Sequence, residues 1–595
     1  MAGISIESSP NVYLVDRCAR AKWCIIEMGI SAIIPLKIWR CWQIRGNISV
    51  GTERRFYVGR PYKRISHFWS SRHLTGKTTT LSGLIATACR DYGSERVLVS
   101  SFTKAAAKEL VMRDLPLNDD QVGTLHALCY RALDRPKLAT GSILKDWNAQ
   151  HPLWSFDTGA ESLDDPYGTE GAKDGDKLLQ EYNRFRGLQV AFDEMPYTIQ
   201  AFAQAWQDFK SNTFTLDFTD LIATCLQERV SIPHDAAVLF LDEVQDFSRL
   251  ELSLTRHWGQ SCEKLYLVGD EDQCLYGFKG ASPDAFLHPA LPAENIRVLS
   301  QSYRVPRAVH AAACQWIEGV SERMPKTYHP RAFEGAVSML PTLSYEAMDG
   351  LGLYLDDWLK AGKTVAVLAS CAYMIDHVKK LLRQWGVPFH NPYRRHRGDW
   401  NPLAQRAGTI NAAQRVTAFL KLSQGQWWTY EDLWAWAAMV EGKDIFARGA
   451  KTDMRRKAES EPTVTVSTDD LDRWFLSEAS AIAAEQGDLG WLQANLLQSH
   501  ARPIQYACTV IERQGAEALA AQPKVIIGTI HSVKGGEADI VVLCPDLSPL
   551  GMEEWSRPGE SHDAIRRLFY VGMTRAKEEL HWTSPSSPRC ITGYA

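Results

Sequence analysis

The stretch Val238-Leu239-Phe240-Leu241-Asp242-Glu243-Val244-Gln245-Asp246 constrains this chain more than any other. Four consecutive β-leaning apolar residues read as a buried strand, and they deliver two adjacent carboxylates to its end. That arrangement predicts a nucleotide-hydrolysing motor. Asp242 would take a magnesium ion directly or through water, and Glu243 would orient and deprotonate the water for in-line attack on a γ-phosphate. The plain alternative is an ordinary buried strand that ends in a solvated acidic turn.

From about residue 75 onward, short apolar runs alternate with amphipathic helical patterns, which predicts parallel α/β construction. Strands are expected at 97–101, 238–241, 264–268, 365–369, 525–529 and 540–543. They fall into two groups, so two α/β cores are expected, in keeping with a length of 595 residues, too long for one core. Helix-rich, Trp-rich or polar segments at about 130–215 and 390–520 read as insertions into those cores. In the second, Trp427, Trp428, Trp434 and Trp436 share a helical stretch and are expected to form a buried face rather than a DNA platform. Residues 1–73 break the pattern, with twelve Lys/Arg against four Asp/Glu. They read as a poorly ordered or mistranslated leader, with a basic nucleic-acid arm as the alternative.

Charge matters here only for where a polyanion would sit. A net charge of -4 excludes a uniformly basic coat, so any nucleic-acid binding must be concentrated in a groove. The 13 cysteines are scattered without a C-x-x-C pair, which argues for reduced thiols and against a metal cluster or disulfide framework. The nearest approach to a membrane span, 23–39, contains Glu27, Pro35 and Lys37, so a cytoplasmic protein with no membrane partner is expected.

Thr75-Gly76-Lys77-Thr78-Thr79-Thr80 opens a helical pattern and resembles the end of a phosphate-binding loop. Backbone N–H groups at the helix start would hold phosphates, Lys77 would reach the β and γ groups, and Thr78 would ligate magnesium. The full G-x-x-x-x-G-K-[ST] pattern is not met, because Ser71 stands where the first glycine belongs and Leu74 where a further glycine is common. Glycine serves there for backbone angles that other residues resist.

The order of the downstream segments resembles the UvrD/Rep/PcrA group of superfamily 1 helicases, from about Thr75 to Trp582. Residues 99–110 (VSSFTKAAAKEL) are similar to motif Ia, 123–126 (GTLH) to motif Ib, and 217–221 (DFTDL) to the segment before the acidic motif at 242–246. Residues 268–281 (VGDEDQCLYGFKGA) resemble motif III and 301–304 (QSYR) motif IV. Residues 528–537 (GTIHSVKGGE) resemble motif V and 567–576 (RLFYVGMTRA) motif VI.

The resemblance implies two RecA-like P-loop NTPase domains, each with a largely helical insertion. The first motor domain would comprise 74–129 and 216–298, with 130–215 inserted; the second would comprise 299–389 and 521–595, with 390–520 inserted. It implies ATP and Mg2+ as cofactors, single-stranded DNA and duplex junctions as partners, and 3′-to-5′ translocation coupled to unwinding. Catalysis would fall to Lys77, Asp242, Glu243, Gln273, Arg304 and Arg575, with Gln273 sensing the γ-phosphate and both arginines acting as fingers. Thr75, Gly76, Lys77, Thr78 and Thr79 would bind phosphate, Tyr303 would stack on adenine, and Glu537 would hold the ribose or γ-phosphate side. Thr78 and Asp242 would hold the metal. Phe102, Tyr276 and Phe278, with Trp582 as a further candidate, would stack on bases, at roughly 1–3 kcal/mol per base. Lys279, Thr124, His126, Thr529 and His531 would contact phosphates. Phe278 and Lys279 stand where the family usually has Trp and Arg, and Gly536 where it has a bulkier residue.

Two other readings compete with this one. One is an ATPase-impaired DNA-binding relative with a damaged phosphate loop. The other, a helicase–nuclease subunit, is disfavoured because only about thirteen residues follow Trp582. The family's adenine-reading glutamine segment is not recognisable ahead of Thr75, which with Ser71 and Leu74 suggests a replaced or frame-shifted leader. Intact-mass analysis that finds Met1 to Arg72 as written removes that idea.

Overall fold

The computed structural model describes residues 68–71, 77–102, 116–157, 173–321, 323–393, 401–404 and 410–594. Its frame is two six-stranded parallel sheets. The first contains β1 (Phe68–Ser71), β2 (Val97–Ser101), β3 (Val122–Gly123), β4 (Val238–Asp242), β5 (Lys264–Gly269) and β6 (Ile296–Leu299), in the order β3-β2-β4-β5-β1-β6. The second contains β7 (Ala336–Leu340), β8 (Val365–Ala369), β9 (Phe389–His390), β10 (Val525–Thr529), β11 (Ala538–Leu543) and β12 (Ala576–Thr583), in the order β7-β12-β11-β8-β10-β9. Strands β2, β4, β8 and β10 are buried along their whole length, which is why each opens on an apolar run.

One boundary differs from the sequence expectation. Phe68–Ser71, assigned to the leader, pairs with β5 on one side and β6 on the other, so the first lobe begins ahead of residue 74. The rest of the leader expectation, 1–67, lies outside the described residues.

Helix Lys77–Tyr92 follows β1 and lays Leu81 and Ile85 on Val97, Val99, Val238 and Phe240. Inserted between β3 and β4 are helices Ser142–Gln150, Asp174–Gly187 and Tyr197–Thr213, with a core built on Trp147, Phe202 and Trp206. In the second lobe, helices Arg307–Ile317 and Glu560–Met573 cover one face of the sheet. The core on the other face continues into the helices of the second insertion, among them Ala412–Leu420 and Tyr430–Ala437. There Trp428 and Trp436 are fully buried, as expected of a packed face, while Trp427 is exposed. The ten cysteines among the described residues are all free. Among those residues no helix is long and apolar enough to cross a membrane.

Candidate nucleotide site and strand track

Strand β4 carries Asp242 to its carboxyl end, and the next residue turns the chain sharply. Glu243 holds a left-handed backbone (φ 56°, ψ 39°), which a non-glycine residue adopts at a cost of about 1–3 kcal/mol and which concentrates at functional sites. A capping box fixes the exit: Ser248 Oγ accepts from Glu251 N at 3.2 Å while Glu251 Oε2 accepts from Ser248 N at 2.7 Å, opening helix Arg249–Gly259. Between them, Gln245 splints the acidic turn to the loop after β5. Its Nε2 donates to Glu243 Oε2 and its Oε1 accepts from Asp270 N at 2.9 Å. That contact requires glycine at 269, where a Cβ would meet Gln245 Oε1 at 2.6 Å. Gln273 in turn donates from Nε2 to Asp270 Oδ2.

The neighbouring strand supplies a further oxygen. Ser101 lies in register with Asp242, and its buried hydroxyl has no hydrogen-bond partner. A carboxylate beside an unpartnered hydroxyl suits a hard, oxygen-seeking cation such as Mg2+. Thr75 and Gly76 lie outside the described residues. Lys77, Thr78 and Thr79 open helix Lys77–Tyr92, but their side chains also lie outside the description.

The second lobe brings two guanidiniums. Arg304 is buried and donates from Nε to Glu537 Oε2 at 2.9 Å, yet its buried Nη1 has no partner. Arg575, at the end of the Glu560–Met573 helix, is buried and donates to the carbonyls of Val571 (2.9 Å) and Gly536 (3.1 Å). Burial and then the nearby Arg304 charge hold its basicity well below the usual arginine range, opposed by Glu243 and Glu537. Glu243 from the first lobe and Arg575 from the second therefore share one electrostatic environment. Two buried, mutually repelling guanidiniums make a site that gains from a bound polyanion. Glu537, expected on the ribose or γ-phosphate side, is engaged with Arg304 and with Lys577 at 3.9 Å. Tyr303 is two-thirds exposed (66%), leaving its ring free to stack.

The lobes also meet through a residue outside the expected site. Lys534, buried, donates to both carboxylate oxygens of Asp246 and to the Gln273 carbonyl at 2.7 Å, and lies 5.2 Å from the Tyr276 ring centre. Its signal was present, a lysine within motif V and an aspartate closing the acidic motif, but their pairing spans almost half the chain.

The strand track needs correction. Phe102, Tyr276, Phe278 and His531 form a ladder of rings, at 4.8 Å, 5.7 Å and 6.3 Å between successive centres. Phe102 and Phe278 are half-buried and keep an accessible edge, as does Lys279. Tyr276 and His531 are each 1% exposed and Thr529 3% exposed, so these three, expected to contact a strand, are not at the surface. Trp582 is likewise buried, packed on Phe569 and Tyr594, and cannot stack on a base. Thr124 caps helix Leu125–Ala132 through Ala127 N. His126 lies 6.1 Å, edge-on, from the exposed Phe218, a ring outside the expected strand contacts.

Comparison with known proteins gives two family matches. Residues 75–290 match the UvrD/REP helicase N-terminal domain and 504–587 the UvrD-like helicase C-terminal domain. The chain is similar to the ATP-dependent DNA helicase PcrA of Leuconostoc citreum, 29% identical over 279 residues that cover 42% of this chain and 37% of that protein. It is also similar to the ATP-dependent DNA helicase PcrA of Staphylococcus aureus (strain Mu50 / ATCC 700699), 28% identical over 277 residues, 42% of this chain and 38% of the relative. The chain thus spans less than two fifths of the length of these curated relatives.

Proposed function

The chain belongs to the UvrD/Rep/PcrA-type helicases, and on that premise we propose that it hydrolyses ATP to move 3′ to 5′ along single-stranded DNA and to unwind duplex ahead of it. The observation that carries this reading is Lys534 of the second lobe bonded to Asp246 and to the Gln273 carbonyl of the first, which sets the acidic turn against the lobe that holds Arg575 and Arg304 with its unpartnered N–H. Glu243, splinted by Gln245, aims and deprotonates water. Arg304 and Arg575 neutralise charge that spreads over the transferred phosphoryl group. Mg2+, held by Asp242 and Thr78 with Ser101 close by, would supply charge neutralisation at the phosphate oxygens. Closure of the two lobes on a triphosphate and their release after hydrolysis would then move Phe102 and Phe278 along a strand.

Release of phosphate by the purified chain, with and without single-stranded DNA, tests this. Turnover is expected to rise with DNA, and Glu243→Gln is expected to lose about 100-fold or more in kcat. Phosphate release no greater than that of the variant would favour the second reading, a DNA-binding relative without ATPase activity, which the Ser71 and Leu74 departures support. Unwinding of a duplex with a 3′ tail but not a 5′ tail tests the direction.

A further inference from the structure

Motif III carries three consecutive acids, and none of them faces solvent. Asp270, Glu271 and Asp272 are each 0% exposed, and so is the Lys326 ammonium they surround. Lys326 Nζ donates to Asp270 Oδ1 at 2.7 Å and to Glu271 Oε2, and lies 3.7 Å from Asp272. Arg323 forks onto Asp272 with bonds of 2.8 Å and 3.0 Å. Met324 N donates to Glu271 Oε1 at 3.0 Å. Burial alone would push the Lys326 ammonium down, but Asp270, Asp272 and Glu271 together hold it above the ordinary lysine value, so it stays charged.

The two cations come from the second lobe. They follow helix Arg307–Ile317, and just before them Ser321 binds Asp563 Oδ2 through its N–H (3.0 Å) and its hydroxyl (2.6 Å). Asp563 lies on the helix that leads to Arg575. Within the first lobe, the carboxylate that Lys326 binds through Oδ1 is the one whose other oxygen accepts from the Gln273 amide.

We infer that Lys326 and Arg323 are positioning residues, which set the Gln273 side chain from the opposite lobe by fixing the Asp270–Asp272 carboxylates. The inference rests on the proposed function and adds to it a mechanical path from the Arg575 helix to the sensor glutamine. Asp270 engages one of the two amide hydrogens of Gln273, which orients Oε1 and the remaining hydrogen. Rotation of one lobe against the other must carry this amide with it, because a fully buried ion cluster cannot open to solvent at small cost.

The test is a mutant cycle in the full chain. Lys326→Met is expected to lower DNA-stimulated kcat roughly 10–100-fold with KM for ATP changed less than about twofold. Combined with Gln273→Ala it should be no slower than Gln273→Ala alone, since both act through one amide. Multiplied losses, which a merely structural role gives, would overturn the inference, as would an unchanged kcat in Lys326→Met. If Lys326→Met does not fold, Lys326→Met with Asp270→Asn removes equal and opposite charges. This pair should fold and remain slow, and recovery of the original rate would overturn the inference. Hydrogen exchange reads the anchoring without turnover: amides 271–276 should exchange about tenfold faster or more in whichever of these variants folds, and unchanged exchange overturns the inference. No stimulated hydrolysis by the unaltered chain would sink the proposed function itself, and the exchange measurement would still decide the anchoring.

Discussion

Glu243 combines two roles in one residue, a carboxylate at the seam and a backbone in the left-handed region. Asp242 and Glu243 were legible in the sequence because an acid after an apolar strand is a local pattern. Lys534 and Lys326 were not, since their partners lie far away along the chain. The burial of Tyr276 and His531 was hidden for a related reason: an aromatic beside a motif carries no sign of whether it faces solvent or core. A residue outside the site yields a pH prediction. Asp546 is buried, its Oδ1 accepts from Ser586 N (2.9 Å) and Ser587 N (3.2 Å), and burial pushes its carboxyl up to about 6. A carboxyl raised on folding binds a proton in the native chain that the unfolded chain, at about 3.9, has already lost. Its penalty is therefore full above about 6 and relieved as pH falls towards about 4. Asp546→Asn should flatten the fall in stability between those values, as read from denaturant melts at pH 4.5 and 6.5.

At the scale of elements, the first insertion is joined to the first lobe through a buried tetrad. Arg186 and Lys210, on two helices of the insertion, bind Asp217 and Asp220, whose reciprocal bonds also cap helix Phe218–Gln227. Burial alone would raise the Asp217 carboxyl, but Arg186 and Lys210 hold it far below the usual range. Lys210→Met leaves two buried acids facing one cation and should cost about 3–5 kcal/mol, read as an earlier denaturant midpoint. The same scale shows what sequence patterns convey. The buried strands β2, β4, β5, β8, β10 and β11 were visible as apolar runs. Strand β1 was hidden because its four residues FWSS end a basic, Trp-rich stretch without periodicity. The two-residue strands β3 and β9 carry no pattern at all, and β12, with Lys577, Glu578 and Glu579 in its half-buried part, looks like a polar helix.

For the whole molecule, buried ions join the two lobes among the described residues, Lys534 on Asp246 and Lys326 on the motif III acids. The first lobe needs β1 at its interior, paired on both sides. A chain that begins at residue 74 lacks this strand and should elute as aggregate in size-exclusion chromatography; a monodisperse peak would remove Phe68–Ser71 from the sheet. The strand order also bears on how the protein comes into being. As the nascent chain leaves the ribosome, β1 emerges long before the β5 and β6 that flank it, and β9 waits for β10 until the entire second insertion has been translated. In the first sheet β4 and β5 slot between β2 and β1, and in the second β12 slots between β7 and β11, a slow, non-local assembly that leaves sticky edges exposed during synthesis and gives holding chaperones a natural client.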